Sequence, residues 1–344
     1  MAKTVFLVLG NGFTIDFLSF LGKRDVIDVT NLFRYGAHVP WPENGEPGFL
    51  SVKRCPNLWH LGARPTMEAS EAMALIEDII TCVNVYASVS SDQLSQIADG
   101  KNKIYLYAYR ELVRYLRHLF VYYDKKIPSI GKEILEWNWA KYFINLHNNP
   151  EVESVRIVTL SYDVWLERTL NALSIPFKVW GFKGNEEKFL LLKPHGSISF
   201  CHKKEDKDKR SFTISYSKEL VSGILQDYDL RYTDLDGNFP TDPMIPPAGE
   251  SGKLSYNTWA RQIKSEADAL VTQLGAGDRM ILSGISYWHV DRAEIDQLLV
   301  NAKRDVDVIM INPSPSRTMN AVLTSLFENY IFLSNTEALA ELDK

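Results

Sequence analysis

Cysteine is scarce in this chain: three among 344 residues, at Cys55, Cys82 and Cys201, with no C-x-x-C pair. An odd number of widely spaced thiols supports neither a disulfide framework nor a cysteine-liganded zinc site, and it suits a reducing compartment. Long apolar runs are lacking too. Thr4 to Leu9 faintly imitates the core of a signal peptide, but Asn11 and Asp16 interrupt it and no small-residue cleavage site follows. No uninterrupted run approaches membrane-spanning length. The expectation is a soluble, cytoplasmic protein with no membrane partner. Charge of one sign is also missing. Thirty-eight Lys and Arg against 43 Asp and Glu leave a net charge of -5, which gives no overall pull toward nucleic acid, so no direct nucleic-acid binding is expected. The sequence shows no internal repeats and no low-complexity tract.

What is present is ordinary for a globular protein: 45% hydrophobic and 24% charged residues, in a chain long enough for a large core and one or two domains. Residues 4–9 are apolar without alternation, as in a strand buried on both faces of a parallel sheet. Gly10-Asn11-Gly12 breaks that strand, and Thr14 to Leu21 reads as the start of a helix. Strand, glycine turn and helix together open a nucleotide-binding α/β unit. Residues 30–66, with Pro40, Pro42, Pro47, Pro56 and Pro65, read as irregular loop. Helical patterns follow over about 68–86, 104–123 and 132–147. The second carries Tyr105, Tyr109, Leu112, Leu116, Leu119 and Phe120 at helical spacing, a stripe better suited to helix packing than to base stacking.

The α/β texture resumes with a buried strand over 154–160, then Ser161-Tyr162-Asp163 and a helix over 164–173. Phe189 to Lys193 forms a strand, and the mixed charges of 202–210 read as a solvated loop. A helix is expected over 259–274, and strands over 279–285, 306–311 and 330–333. The resulting fold class is α/β, a Rossmann-like parallel sheet flanked by helices. Residues 1–66 and 151–344 make the sheet domain, and 67–150 an all-helical insertion.

Unusual residues gather at strand ends: Gly10-Asn11-Gly12-Phe13-Thr14, Ser161-Tyr162-Asp163, Pro194-His195-Gly196, Gly284-Ile285-Ser286 and Ile311-Asn312-Pro313. In an open parallel sheet, ligands lie outside the carboxyl ends of the strands, so these segments would converge on one crevice. Pro194 fixes the backbone before His195 and Gly196 lets it turn afterwards, presenting an imidazole able to transfer a proton near neutral pH. Taken alone, His195 also reads as a satisfied core histidine. Gly10 and Gly12 would let the backbone approach a pyrophosphate at a helix N-terminus. A complete G-x-G-x-x-G would need glycine where Ile15 stands, so the dehydrogenase fingerprint is incomplete. Asp163 doubles as a helix N-cap, and Asn312 as a turn residue before Pro313.

In this order, the segments make the chain resemble the sirtuin-like family of NAD-consuming enzymes, especially its bacterial NAD hydrolases of anti-phage defence. The resemblance covers residues 1–16, about 155–200 and about 243–313, where Ile245-Pro246-Pro247 and Trp259 are similar to the family's proline pair and tryptophan. Asp291 is similar to its acidic residue, and it also reads as a helix N-cap. The resemblance implies cleavage of the nicotinamide–ribose bond of NAD, a substrate rather than a resident cofactor. His195, Ser161 and Asp163 would be the catalytic groups. Gly10, Asn11, Gly12, Phe13, Thr14, Tyr162, Gly284, Ser286 and Asn312 would bind the dinucleotide, Asn312 at the adenosine ribose.

Two departures matter. Ser161 stands where the family usually has asparagine, and a hydroxyl replaces an amide there. The paired C-x-x-C motifs of protein-deacylating sirtuins are missing, so no zinc is expected and deacylation is the poorer reading. Unrestricted NAD loss would kill the host. The resemblance therefore implies gating in abortive infection, by a separate sensor or activator protein or by homo-oligomerisation, with the helical stretch as the candidate contact. The alternative is a catalytically impaired subunit that senses NAD or ADP-ribose.

Overall fold

In a computed structural model of the chain, residues 3–87, 103–216, 223–246, 258–286, 292–314 and 316–342 are described. Strand β1 (Lys3–Leu9) leads into helix α1 (Asn11–Phe20). A long loop carries the short α2 (Pro56–His60), and α3 (Ala69–Ala87), α4 (Ile104–Asp124) and α5 (Asn138–Asn148) follow. Then come β2 (Val152–Thr159), α6 (Trp165–Ala172), β3 (Phe177–Val179), β4 (Phe189–Leu192), β5 (Phe200–His202) and β6 (Tyr228–Leu230). The chain finishes with α7 (Trp259–Thr272), β7 (Arg279–Ser283), α8 (Arg292–Asn301), β8 (Asp307–Ile311), α9 (Arg317–Leu326) and β9 (Asn329–Leu333).

Seven strands form one parallel sheet in the order β3-β4-β2-β1-β7-β8-β9, while β5 and β6 pair antiparallel outside it. The fold is a Rossmann-like α/β fold. From β1 the chain first adds β2, β4 and β3 on one side, then returns to add β7, β8 and β9 on the other. The order reverses between β1 and β7, which is the switch point where such sheets open a crevice. Register aligns the strand ends: Leu9 pairs with Thr159 and Ser283, Ser283 with Ile311, and Ile311 with Leu333. The loops after β1, β2, β7, β8 and β9 therefore leave one edge together. Val5 to Leu9 are fully buried, as a central strand covered on both faces requires.

Several elements differ from the sequence expectation. Helix α1 starts at Asn11, three positions before Thr14. The expected helix over 132–147 splits into a 3-10 turn (Lys132–Glu136) and α5, because Trp137 is extended (ψ 132). That break lets Trp137 pack on Phe13, Phe17 and Phe20 and donate its indole N–H to Asp16 at 2.8 Å. Within 30–66, α2 has proline in its first turn, and Glu111 of α4 accepts the Asn57 and Leu58 N–H groups at 3.2 and 2.8 Å. Strands β3, β5 and β6 and helices α8 and α9 have no counterpart in the sequence reading. The three strands are only three residues each, and α9 buries only Met319 and Leu323, a stripe too thin to stand out.

The helices of 67–150 share one continuous core with the sheet. Glu111 to Val121 of α4 are buried without a break, so this helix offers little free face to a partner. Tyr115 donates to the Leu32 carbonyl at 2.6 Å. Arg114 and Arg117 pair with the buried Asp242 at 2.9 and 3.4 Å, and Arg117 also donates to the Phe200 and Leu235 carbonyls. Met244, two residues after Asp242, bridges Gly196, so this cluster braces the His195 loop. Removing one partner from a buried charge cluster leaves the rest uncompensated. Asp242→Asn is accordingly expected to cost about 3–5 kcal/mol in urea unfolding. A loss within about 1 kcal/mol, the range of exposed pairs, would show that the two guanidinium groups do not depend on it.

Candidate functional site

A cavity of about 690 Å³ lies at the C-terminal ends of β1, β2, β7 and β8. Its size is within the roughly 300–1,000 Å³ typical of small-molecule and cofactor sites. Two backbones meet at its floor. A Cβ on Gly12 would lie 2.3 Å from Gly284 Cα, and one on Gly10 would lie 2.5 Å from the Gly284 carbonyl oxygen. Gly284 is itself left-handed (φ +63), a conformation that favours glycine. The Gly12 N–H donates to the Gly284 carbonyl at 3.0 Å, and the Phe13 N–H to the Gly10 carbonyl at 3.1 Å. The glycines thus serve first to seat α1 against the loop after β7, and two N–H groups of its first turn are already engaged by protein.

Of the residues singled out from sequence, Gly10, Asn11, Gly12, Ser161, Tyr162, Asp163, His195, Gly284, Ser286 and Asn312 line this cavity. Phe13 and Thr14 do not. Phe13 is buried among Trp137, Trp139 and Phe143, with ring centroids 5.3–6.3 Å apart. Thr14 is buried and hydrogen-bonds Asp163 at 2.8 Å and Ser161 at 3.0 Å. Asn11 ties α1 to the following loop by donating to the Val29 carbonyl at 3.1 Å. Asn312 donates to the Ile285 carbonyl at 2.8 Å and accepts the Ser314 N–H at 3.1 Å, so its amide links the ends of β7 and β8. Tyr162 donates to the Ile245 carbonyl at 2.5 Å. Asp163 is not the N-cap of α6, which is Val164; it sits one residue earlier and ties the start of the helix by accepting the Trp165 N–H at 3.0 Å. Asp291 and Pro247 lie outside the described residues.

Gly196 follows His195 with φ +81, and a Cβ there would lie 1.8 Å from the Pro243 carbonyl oxygen and 2.9 Å from the Trp259 ring. The histidine itself is buried, with Nε2 2.5 Å from Glu294 Oε2 on α8. Lys264 of α7 holds the other oxygen of Glu294. Burial favours protonated Glu294, but His195 and Lys264, through charge and hydrogen bonds, outweigh it and bring the carboxyl down to about 2. Two residues before the histidine, the buried Lys193 donates to the Asp163 carbonyl at 2.6 Å and to Glu167 at 2.7 Å. Burial raises the Asp163 carboxyl above its ordinary range. Lys193 and the bonds from Trp165 and Thr14 oppose that rise, and Glu167 adds to it.

Sequence reasoning missed Glu294, whose only local signal is an acid in the first turn of a helix after the Gly284 loop. It also missed a polar rim beyond β8 and β9, made by Ser314, Ser316, Ser334, Asn335 and Thr336. An imidazole oriented by a carboxylate, at a cavity also lined by hydroxyl and amide groups, can take a proton from a hydroxyl or a water. Among the described residues no group of three or more His, Cys, Asp or Glu could hold a metal ion, and no helix is long and apolar enough to cross a membrane. Compared with known proteins, the chain matches no protein-family model and no curated protein.

The Glu294 geometry has a pH signature. Its carboxyl is held at about 2 in the folded protein against 4.5 ordinarily, so the unfolded chain takes up the proton first as pH falls. The contribution is complete above about pH 4.5 and is lost toward pH 2, a difference of up to about 3 kcal/mol. The stability gap between wild type and Glu294→Gln in urea titrations is expected to shrink across that window. Parallel pH curves would contradict the pairing.

Proposed function

We propose that this protein is an NAD hydrolase that cleaves the nicotinamide–ribose bond to give nicotinamide and ADP-ribose. The observation that carries this reading is His195, buried and oriented by Glu294, lining with Ser161 and Asp163 a cavity at the C-terminal ends of the strands of a Rossmann-like sheet. The resemblance of the same strand-end segments to sirtuin-like NAD-consuming enzymes supports it. In this reading the nicotinamide riboside lies between His195 and Ser161. The adenosine extends past Gly284 and Asn312 toward the polar rim at Ser314 to Ser316 and Ser334 to Thr336.

The chemistry suits these groups. Nicotinamide leaves a pyridinium as a neutral molecule and needs no acid. The barrier lies in forming an oxocarbenium-like ribose, which a nearby base and a water-poor cavity assist. His195 is the base for the ribose hydroxyls, with Glu294 setting its orientation. As an effector of abortive infection the enzyme would be held inactive by a partner protein or by its own oligomeric state until triggered.

His195→Ala is expected to lower nicotinamide release from NAD by at least about 100-fold while leaving the circular dichroism spectrum native, with some loss of melting temperature from the broken Glu294 pairing. Undiminished release would remove His195 from the mechanism. Tight NAD binding by wild type without turnover, alone or with its genomic neighbours' products, would instead favour the sensor reading.

A further inference from the structure

We propose that Ser161, Thr14 and Asp163 form a relay that accepts the proton of the water attacking the ribose, ending on the buried Asp163 carboxylate. The proposal rests on the NAD-hydrolase reading above. Its basis is the direction of two hydrogen bonds. Thr14 Oγ1 lies 2.8 Å from Asp163 Oδ2 and 3.0 Å from Ser161 Oγ. A threonine hydroxyl has a single hydrogen, and an ionised carboxylate only accepts. The Thr14 hydrogen therefore goes to Asp163, and Ser161 must donate its own hydrogen to Thr14. Ser161, which lines the cavity, is left to face it with lone pairs. It is an acceptor for a water O–H.

The fold builds this alignment. Leu9 and Thr159 are paired ends of adjacent strands, so the first turn of α1 and the loop after β2 run side by side. Asp163 is pinned at its second oxygen by the Trp165 N–H at 3.0 Å, which leaves Oδ2 to Thr14. Around it stand Lys193, which is bonded to its main-chain carbonyl, and Glu167. Burial makes the carboxylate a better proton acceptor than an exposed one. The water oxygen bonds to ribose C1′ after the C1′–N electron pair has left with nicotinamide. One water proton passes to Ser161 Oγ, the Ser161 proton to Thr14 Oγ1, and the Thr14 proton to Asp163 Oδ2. Asp163 later returns that proton to solvent, so NAD and water give nicotinamide, ADP-ribose and one proton.

The same bonds would exist if Thr14 merely braced α1 against β2, so the test must separate water attack from cleavage. Exchange of labelled nicotinamide into NAD reports cleavage and re-formation without water, whereas ADP-ribose formation requires water. In the full-length chain, Thr14→Val is expected to lower hydrolysis by about 100-fold and to raise the exchange-to-hydrolysis ratio at least about tenfold, with Thr14→Ser restoring most of it. Ser161→Ala, altering a half-buried wall residue, supplies the same measurement if Thr14→Val does not fold. An unchanged ratio in these variants, whether both reactions fall together or neither does, overturns the relay and leaves the hydrolase reading standing. A wild type that shows neither hydrolysis nor exchange overturns the hydrolase reading and the relay with it.

Discussion

The cavity depends on one contact in which no side chain takes part: the meeting of Gly12 and Gly284. Each would place a Cβ within 2.4 Å of the other's α-carbon. Strands β1 and β7 are adjacent and parallel, so the loops that leave their ends compete for the same space. Only two glycines let both pass, and any side chain would pry α1 from the loop after β7 and spoil the alignment of the strand ends. The contact also determines where charge can be received. With the Gly12 N–H turned onto the Gly284 carbonyl, the start of α1 is partly satisfied by protein. In the NAD reading this shifts the pyrophosphate toward the loops after β7 and β8, away from the helix end that the glycine turn suggested.

A second constraint is electrostatic and centres on four residues, Lys193 to Gly196. Lys193 is held by Glu167, His195 by Glu294 and Lys264, and Gly196 by the strand-like bridge to Met244, which follows the Asp242 cluster of Arg114 and Arg117. Buried ion pairs of this kind contribute little net stability, because desolvation offsets most of their attraction. Their effect is on geometry. Each removes a direction in which the histidine loop could move, and each involves a different helix: α6 for Glu167, α7 and α8 for the Glu294 pair, and α4 for the arginines. The imidazole loop is therefore braced by α4, α6, α7 and α8, and a side chain placed so firmly loses little orientational freedom when a ligand arrives.

The parallel sheet was legible where its strands are mostly buried, as β1, β2, β4, β7 and β8 are, and so appear as largely apolar runs ending in glycine, serine, histidine or asparagine. The convergence of those ends follows from the sheet alone, which is why Gly10, Ser161, His195, Gly284 and Asn312 come to one cavity. Phe13 went astray through helix phase. With α1 starting at Asn11 rather than Thr14, residue 13 points into the aromatic core with Phe17. Trp137 could not be read as a helix break, since its side chain answers to the aromatic cluster and Asp16, contacts remote in sequence. Glu294 was invisible for a similar reason. It meets His195 across 99 residues, and a tertiary pairing of that kind leaves no local pattern.

Ser161 shows how a departure from an expected residue can be compensated by its neighbours. An asparagine at that place carries both a carbonyl acceptor and an amide donor, and needs no second residue to present either. A serine has one hydrogen and must place it somewhere. Here it goes to Thr14, because the hydrogen of Thr14 is already committed to Asp163. The result is a wall group that accepts and does not donate, backed by a buried carboxylate. An attacking water is a donor toward such a group, whereas the nicotinamide carboxamide presents both a donor and an acceptor. In the NAD reading, the polarity of the Ser161 hydroxyl would favour water on this side of the ribose and leave the recognition of nicotinamide to other atoms of the cavity.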